Sequence, residues 1–170
     1  MRGYPESRQP FDASHGWRMM VFTLLAAFLL KQFPWQGFGL MIRPDFVLVV
    51  LLFWAQRRQQ GVSLGLAFLL GVFADVQDGV VLGQHALAYS VGVFLVQYFR
   101  RRLAMFTLPQ QALQIFPLLL LIEVVALMAG WMSTRTPHGG WVFASAFTGT
   151  LLWWALAAAG KMPAARASQD

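Results

Sequence analysis

The run Arg43-Pro44-Asp45-Phe46-Val47-Leu48-Val49-Val50-Leu51-Leu52-Phe53-Trp54-Ala55-Gln56-Arg57-Arg58 decides how this chain is built. Proline suits the first turn of a helix, where its missing N–H has no partner to lose, and an early aspartate suits the positive end of the helix dipole. From Pro44 to Gln56 such a helix covers only about 20 Å at 1.5 Å per residue, against about 30 Å of hydrocarbon in a bilayer. It is too short to cross unaided. The preceding Gly37-Phe38-Gly39-Leu40-Met41-Ile42 is apolar and broken by glycine. Non-regular backbone is therefore expected to enter the membrane there, shielded by neighbouring helices.

Working outward, Val62 to Asp75 repeats the pattern, a short apolar helix followed by Val76-Gln77-Asp78-Gly79-Val80-Val81-Leu82-Gly83. A fourth run, Gln84 to Phe99, is expected to stop at Arg100-Arg101-Arg102, and a fifth, from Leu108 to Met132, carries Glu123 near its middle and Pro117 as an expected kink. Thr134 to Gly140 reads as a loop and Trp141 to Gly160 as a sixth span. Upstream, the run from Trp17 to Phe33 leads into Pro34-Trp35 rather than a small-x-small cleavage site, which predicts an uncleaved first span. The expected architecture is an all-α, polytopic transmembrane helical bundle of about six spans over residues 17–160, several of them short or glycine-broken. Polar tails flank it at 1–16 and 161–170.

Composition agrees. Of 170 residues, 58% are hydrophobic and 12% charged, against about 25% charged in an ordinary soluble domain. Six spans of about 20 residues leave room for tails and short loops but not for a second soluble domain. The chain has no cysteine, which excludes disulfides, thiolate nucleophiles, cysteine-ligated zinc and iron–sulfur clusters. A net charge of +6 and a pI near 10.8 would suit nucleic acid only with the basic residues gathered on one solvated face. They instead sit in small clusters between apolar runs, so no nucleic-acid partner is expected. Ten of the thirteen fall in the N-terminal region, the Arg57-Arg58 and Arg100–Arg102 turns and the C-terminal tail, while Lys31, Arg43 and Arg135 fall on the other side. Both termini are thereby expected in the cytoplasm of a bacterial inner membrane.

Charged groups inside a bilayer are costly and point to function. Glu123 is the clearest case, either a proton relay or substrate contact, or a hydrogen-bonded carboxyl holding the fifth helix; no basic residue is expected at its depth. Asp75 and Asp78 would share a helical face if the third span reached them, and would then suit a shared proton or a cation. With Gly79 following, they equally suit a structural turn. His85 is placed to pair with either aspartate, yet His15, His85 and His138 make no metal-ligand spacing. Gly61-x-x-x-Gly65 and Gly79-x-x-x-Gly83 have a spacing that lets helices approach closely and leaves a homodimer open; Gly65, Gly71 and Ala74 equally suit packing of the third helix within its own bundle. The seven tryptophans fall near expected helix ends, where interfacial anchoring accounts for them. There is no G-x-S-x-G, P-loop, G-x-G-x-x-G or H-E-x-x-H, so no enzyme and no cofactor is expected.

In order along the chain, Arg43-Pro44-Asp45 opening a short helix that ends Phe53-Trp54-Ala55, then Gly65-Leu66-Ala67-Phe68-Leu69-Leu70-Gly71-Val72-Phe73-Ala74-Asp75, Gly79, and Leu82-Gly83-x-x-Ala86-Leu87, resembles the MreD family of rod-shape-determining proteins. Pro109-Gln110-Gln111-Ala112 resembles the family's way into its fifth span, although Leu108 and Pro109 depart from the expected tryptophan. The resemblance covers residues 40–160. It implies a non-enzymatic member of the rod complex, or elongasome, that directs side-wall peptidoglycan synthesis. The implied partners are the periplasmic MreC and, directly or through it, the actin-like MreB, RodA and the elongation transpeptidase, together with membrane lipid. Partner contact or a structural role is then expected at Arg43, Pro44, Asp45, Gly71, Asp75, Asp78, Gly79, Gly83, His85 and Glu123. The competing expectation is a small-solute binding or transport subunit. Against it, no pair of half-helix termini is visibly aimed at one point.

Overall fold

Helix α2 (Phe46–Arg57) is the axis around which the others assemble. Eight of its twelve residues are buried; a helix that is apolar on every side must be covered on every side. The cover comes from α1 (Ala13–Gln32), α4 (Gln84–Ala104) and α6 (Val142–Ala159), each packed directly against it. Helix α3 (Leu64–Asp78) pairs with α4, and α5 (Leu108–Thr134) bridges α4 and α6. This computed structural model describes residues 13–34, 36, 37, 42–57, 62–134 and 142–159, and among them the only regular elements are these six helices. The expectations for most of the N-terminal tail, the 38–41 segment, Arg58, Gly61, the 135–140 loop and the C-terminal tail lie outside the described residues, as do those for Trp35 and Trp141.

Several boundaries differ from the sequence reading. Helix α2 starts at Phe46, so Asp45 is its N-cap and Pro44 precedes the helix: the Asp45 carboxylate accepts the Leu48 amide at 3.1 Å, and a side chain that caps must stay outside the helical backbone. Ser63 caps α3 the same way, accepting from the Leu66 amide. Helix α3 continues through Asp75 to Asp78 and stops only at Gly79, whose φ of +63° is the left-handed closure that glycine adopts at no steric cost. Helix α4 runs through Arg100–Arg102 to Ala104. Arginine is a good helix former and is favoured at the negative end of the dipole, so the cluster belongs to the last turns of the helix and does not end it. Helix α5 is continuous through Pro117.

The outer surface is apolar. Phe22, Leu29, Phe73, Leu113 and Met128 are each more than 60% exposed, with comparable side chains on every described helix except α2. Helix α5 shows the arrangement plainly, with Ile115, Leu119, Ile122 and Ala126 facing inward at spacings of four, three and four while Leu113, Leu121 and Val124 face out. One segment, Leu108–Trp131, is by itself long and apolar enough to cross a membrane; α2 and the 143–159 stretch of α6 are shorter apolar helices. The expectation of about six spans, several of them short, is met by six helices of unequal length, one of which is of membrane-crossing length and composition.

Two tryptophans are tied into the bundle itself. Trp153 is fully buried, and Trp54 donates its indole N–H to Thr23 Oγ1 at 2.9 Å, tying α2 to α1. Helical position near an end does not fix burial within the bundle; the packing partner does. Trp54→Phe is expected to cost about 1 kcal/mol, the net contribution of one hydrogen bond, seen as a lower midpoint of thermal unfolding in mild detergent, and Thr23→Val a similar amount.

Candidate functional site: a charged cluster where four helix termini meet

The residues from Gly71 to Gly83 fold into one device. Helix α4 opens at Gly83, with φ of +108° and no capping side chain of its own. Asp75, fully buried, supplies the cap from the preceding helix: Oδ2 accepts from the Gly83 amide at 2.8 Å and Oδ1 from the His85 amide at 2.7 Å. The His85 ring adds Nδ1 at 2.9 Å from Oδ1; because a carboxylate only accepts, Nδ1 carries the proton. The backbone carbonyl of Asp75 accepts from Val80, closing the turn from the other side. Such an approach requires a residue without a Cβ at Gly71, where an added Cβ would stand 2.3 Å from Ala86 Cα. Gly79 and Gly83 therefore serve backbone conformation within a turn, and Gly79-x-x-x-Gly83 is not a helix-packing face. Gly65 is open, with only Ser63 Oγ within 4 Å of a Cβ there, so of the three small residues expected to pack α3, Gly71 and Ala74 do so.

Asp78, one turn beyond Asp75, faces the basic residues. Its carboxylate lies 2.7 Å from Lys31 Nζ, 3.7 Å from Arg43 and 3.6 Å from His85 Nε2. Lys31, in the last turn of α1, is buried, so it is a member of the cluster, whereas from the sequence it counted only among the three basic residues on the side opposite the termini. Asp45 joins from α2, where Oδ2 accepts the hydroxyl proton of Tyr89, itself buried on α4. Glu123, on α5, accepts from Ser145 Oγ of α6 at 3.1 Å, tying the two helices together. Thr148 Oγ1 donates to the Ile42 carbonyl and so holds the approach to Arg43 against α6.

These groups surround a cavity of about 170 Å³, lined by Lys31, Arg43, Asp45, Asp78, His85 and Glu123 together with Tyr89 and Ser145. Two expectations are corrected here. Lys31 and Arg43 share the cavity with Glu123, because the end of α1, the start of α2 and the middle of α5 all line it. Helix termini also converge: the first residues of α2 and α4 and the last of α3 all reach this wall. Neither follows from spacing along the chain, since each depends on which helices become neighbours. Among the described residues no group of three or more His, Asp or Glu side chains is arranged to hold a metal ion. Lys31, Tyr89 and Ser145 were not foreseen as site residues. The available signals were slight, a single lysine in an apolar run and a tyrosine four residues after His85.

A helical protein with an apolar exterior and a charged interior site is the class that fold and site define. The matching family model is that of the rod shape-determining protein MreD, over residues 13–160, and the chain belongs to the MreD family. A curated relative, the rod shape-determining protein MreD of Haemophilus influenzae, is 29% identical over 138 residues, which is 81% of this chain and 85% of that protein. No solved structure matches. Family membership assigns the chain to determination of rod cell shape.

Proposed function

We propose that this protein is a non-enzymatic scaffold of the bacterial cell-elongation complex, embedded in the inner membrane and organising side-wall peptidoglycan synthesis with MreC. The observation that carries the reading is the family match across 13–160; the apolar exterior supports the membrane setting. In this reading 17–160 is one membrane domain, with 1–16 and 161–170 cytoplasmic by the positive-inside rule. The charged cluster then lies towards the periplasm, where the rim formed by Arg43–Asp45 and Asp75–Gly83 meets the partner. MreB, RodA and the elongation transpeptidase are reached directly or through MreC.

Mild-detergent affinity purification of the tagged protein from its own membranes, with mass spectrometry of what accompanies it, is expected to recover MreC and the wall synthases. Asp78→Asn combined with Arg43→Gln is expected to lower that recovery about ten-fold, as loss of a central charged contact does, while the protein remains inserted. Unchanged recovery and rod shape would remove this rim from the partner surface. Because the chain has no cysteine, single cysteines placed in the two tails report topology directly: an impermeant maleimide added to intact cells is expected to leave both unlabelled.

A second reading, binding or transport of a small polar solute, is favoured by the cavity among Lys31, Arg43, Asp78 and Glu123 at converging helix ends. Recovery of an ATPase pair, or of a bound small molecule without wall proteins, would select it and make Glu123 the residue to change.

A further inference from the structure

At the opposite end of α2 the charged side chains that line a cavity are, among the described residues, of one sign. A cavity of about 350 Å³ opens between the last turns of α2 and α4, the start of α5 and the second half of α6. Arg57 and Arg100 line it together with Gln56 and Gln111, and no acidic side chain among the described residues does. The Arg57 guanidinium is steered by the Phe53 ring, 4.8 Å from its centroid. Gln111 spends its amide N–H on the Phe106 carbonyl. The remaining wall is apolar, with Phe53, Leu108 and Ala157.

Arginines at helix C-termini need no ligand to explain them, since they offset the negative ends of α2 and α4. Trp153 is the observation that this explanation does not reach. It lines the same cavity, is 1% exposed, and its indole N–H has no hydrogen-bond partner among the described residues. A buried donor left without an acceptor is costly, and native structures seldom retain one. Two permanent cations over an apolar wall that also holds this unsatisfied donor are complementary to an anion carried on an apolar body.

We propose that this cavity binds a phosphate group, delivered by the headgroup of an anionic phospholipid. Arginine matches phosphate through paired N–H donors, and basic pockets between helices near the cytoplasmic face are where such headgroups lodge. The lipid source rests on the membrane setting proposed above; the phosphate chemistry does not, and free phosphate would meet the same groups.

The test uses the full chain, delipidated in mild detergent, with phosphatidylglycerol, phosphatidylcholine and inorganic phosphate as separate probes read by native mass spectrometry and thermal unfolding. Phosphatidylglycerol is expected to bind and raise the unfolding midpoint. Arg57→Gln with Arg100→Gln is expected to weaken it about ten-fold or more, each arginine acting near an anionic headgroup. Trp153→Phe is expected to weaken it less and without loss of fold, and it carries the test if the double variant does not fold. Equal protection by inorganic phosphate keeps the site and overturns the lipid source. Equal binding of the two lipids, or undiminished binding by the variants, overturns the site. Carbonate extraction of native membranes checks insertion separately, so failure of the membrane reading is distinguishable from failure of the site.

Discussion

Asp75→Leu is expected to lower stability by about 2–6 kcal/mol, because two part-buried amides, at Gly83 and His85, lose a short hydrogen bond to a fully buried acceptor at up to roughly 1–3 kcal/mol each. Against a typical total of about 5–15 kcal/mol, that is a large share. Leucine keeps the branching of aspartate but its methyls are bulkier than carboxylate oxygens, so Asp75→Asn, nearly the same size, is the cleaner measure of the polar role. Asp75→Asn retains one acceptor oxygen and is expected to lose about half as much. His85→Ala is expected to lose less than Asp75→Leu, since the backbone N–H of residue 85 would still be satisfied. Denaturant unfolding in mild detergent, followed by tryptophan fluorescence, gives the midpoints. A midpoint for Asp75→Leu equal to that of the unaltered protein would dispose of the capping role.

Gly71→Ala is expected to be as damaging by a different route. The added methyl would stand 2.3 Å from Ala86 Cα, 2.6 Å from Ala86 N and 2.7 Å from the His85 carbonyl carbon. All three are backbone atoms, which cannot rotate aside as a side chain does, so α3 and α4 must separate. Overpacking typically costs about 1–3 kcal/mol and occasionally more, and a backbone–backbone clash belongs at the upper end. Gly65→Ala is the control on the same helix: with nothing closer than 3.9 Å to its Cβ, it is expected to be neutral or to stabilise by up to about 1 kcal/mol. Equal behaviour of the two alanines would mean that α3 and α4 are not packed as described. Because both Gly71 and Asp75 act on the start of α4, the double variant is expected to lose less than the sum.

The Asp75 device and the Lys31 ion pair differ in how far local sequence revealed them. Gly71, Asp75, Gly79 and Gly83 lie within thirteen residues, and a turn needing glycine and aspartate together was legible because turn chemistry is local. What each residue does was not. Whether Asp75 caps its own helix or the next depends on how closely α3 and α4 pack, which Gly71 controls. Lys31 and Asp78 are forty-seven positions apart, and the lysine was one basic residue near the end of an apolar run until the end of α1 was found against the end of α3. Glu123 shows the same limit. Its depth in an apolar run was plain, but its link to Ser145 and its share in a cavity with Lys31 and Arg43 depend on helices brought together from across the chain.

By itself the sequence determined the helical class, the order of six apolar segments and most of their limits, because hydropathy runs and breakers act over a few residues. It also carried the family, through the ordered pattern from Arg43 to Leu87. Only the tertiary structure decided that the shortest apolar helix is the axis, that one aspartate caps a neighbouring helix while the next holds a buried lysine, and that the two ends of α2 open on cavities of different charge. The physical reason is that burial, ion pairing and cavity shape depend on which surfaces meet. In an almost wholly apolar chain many faces satisfy the same hydropathy, and only the packed bundle selects among them.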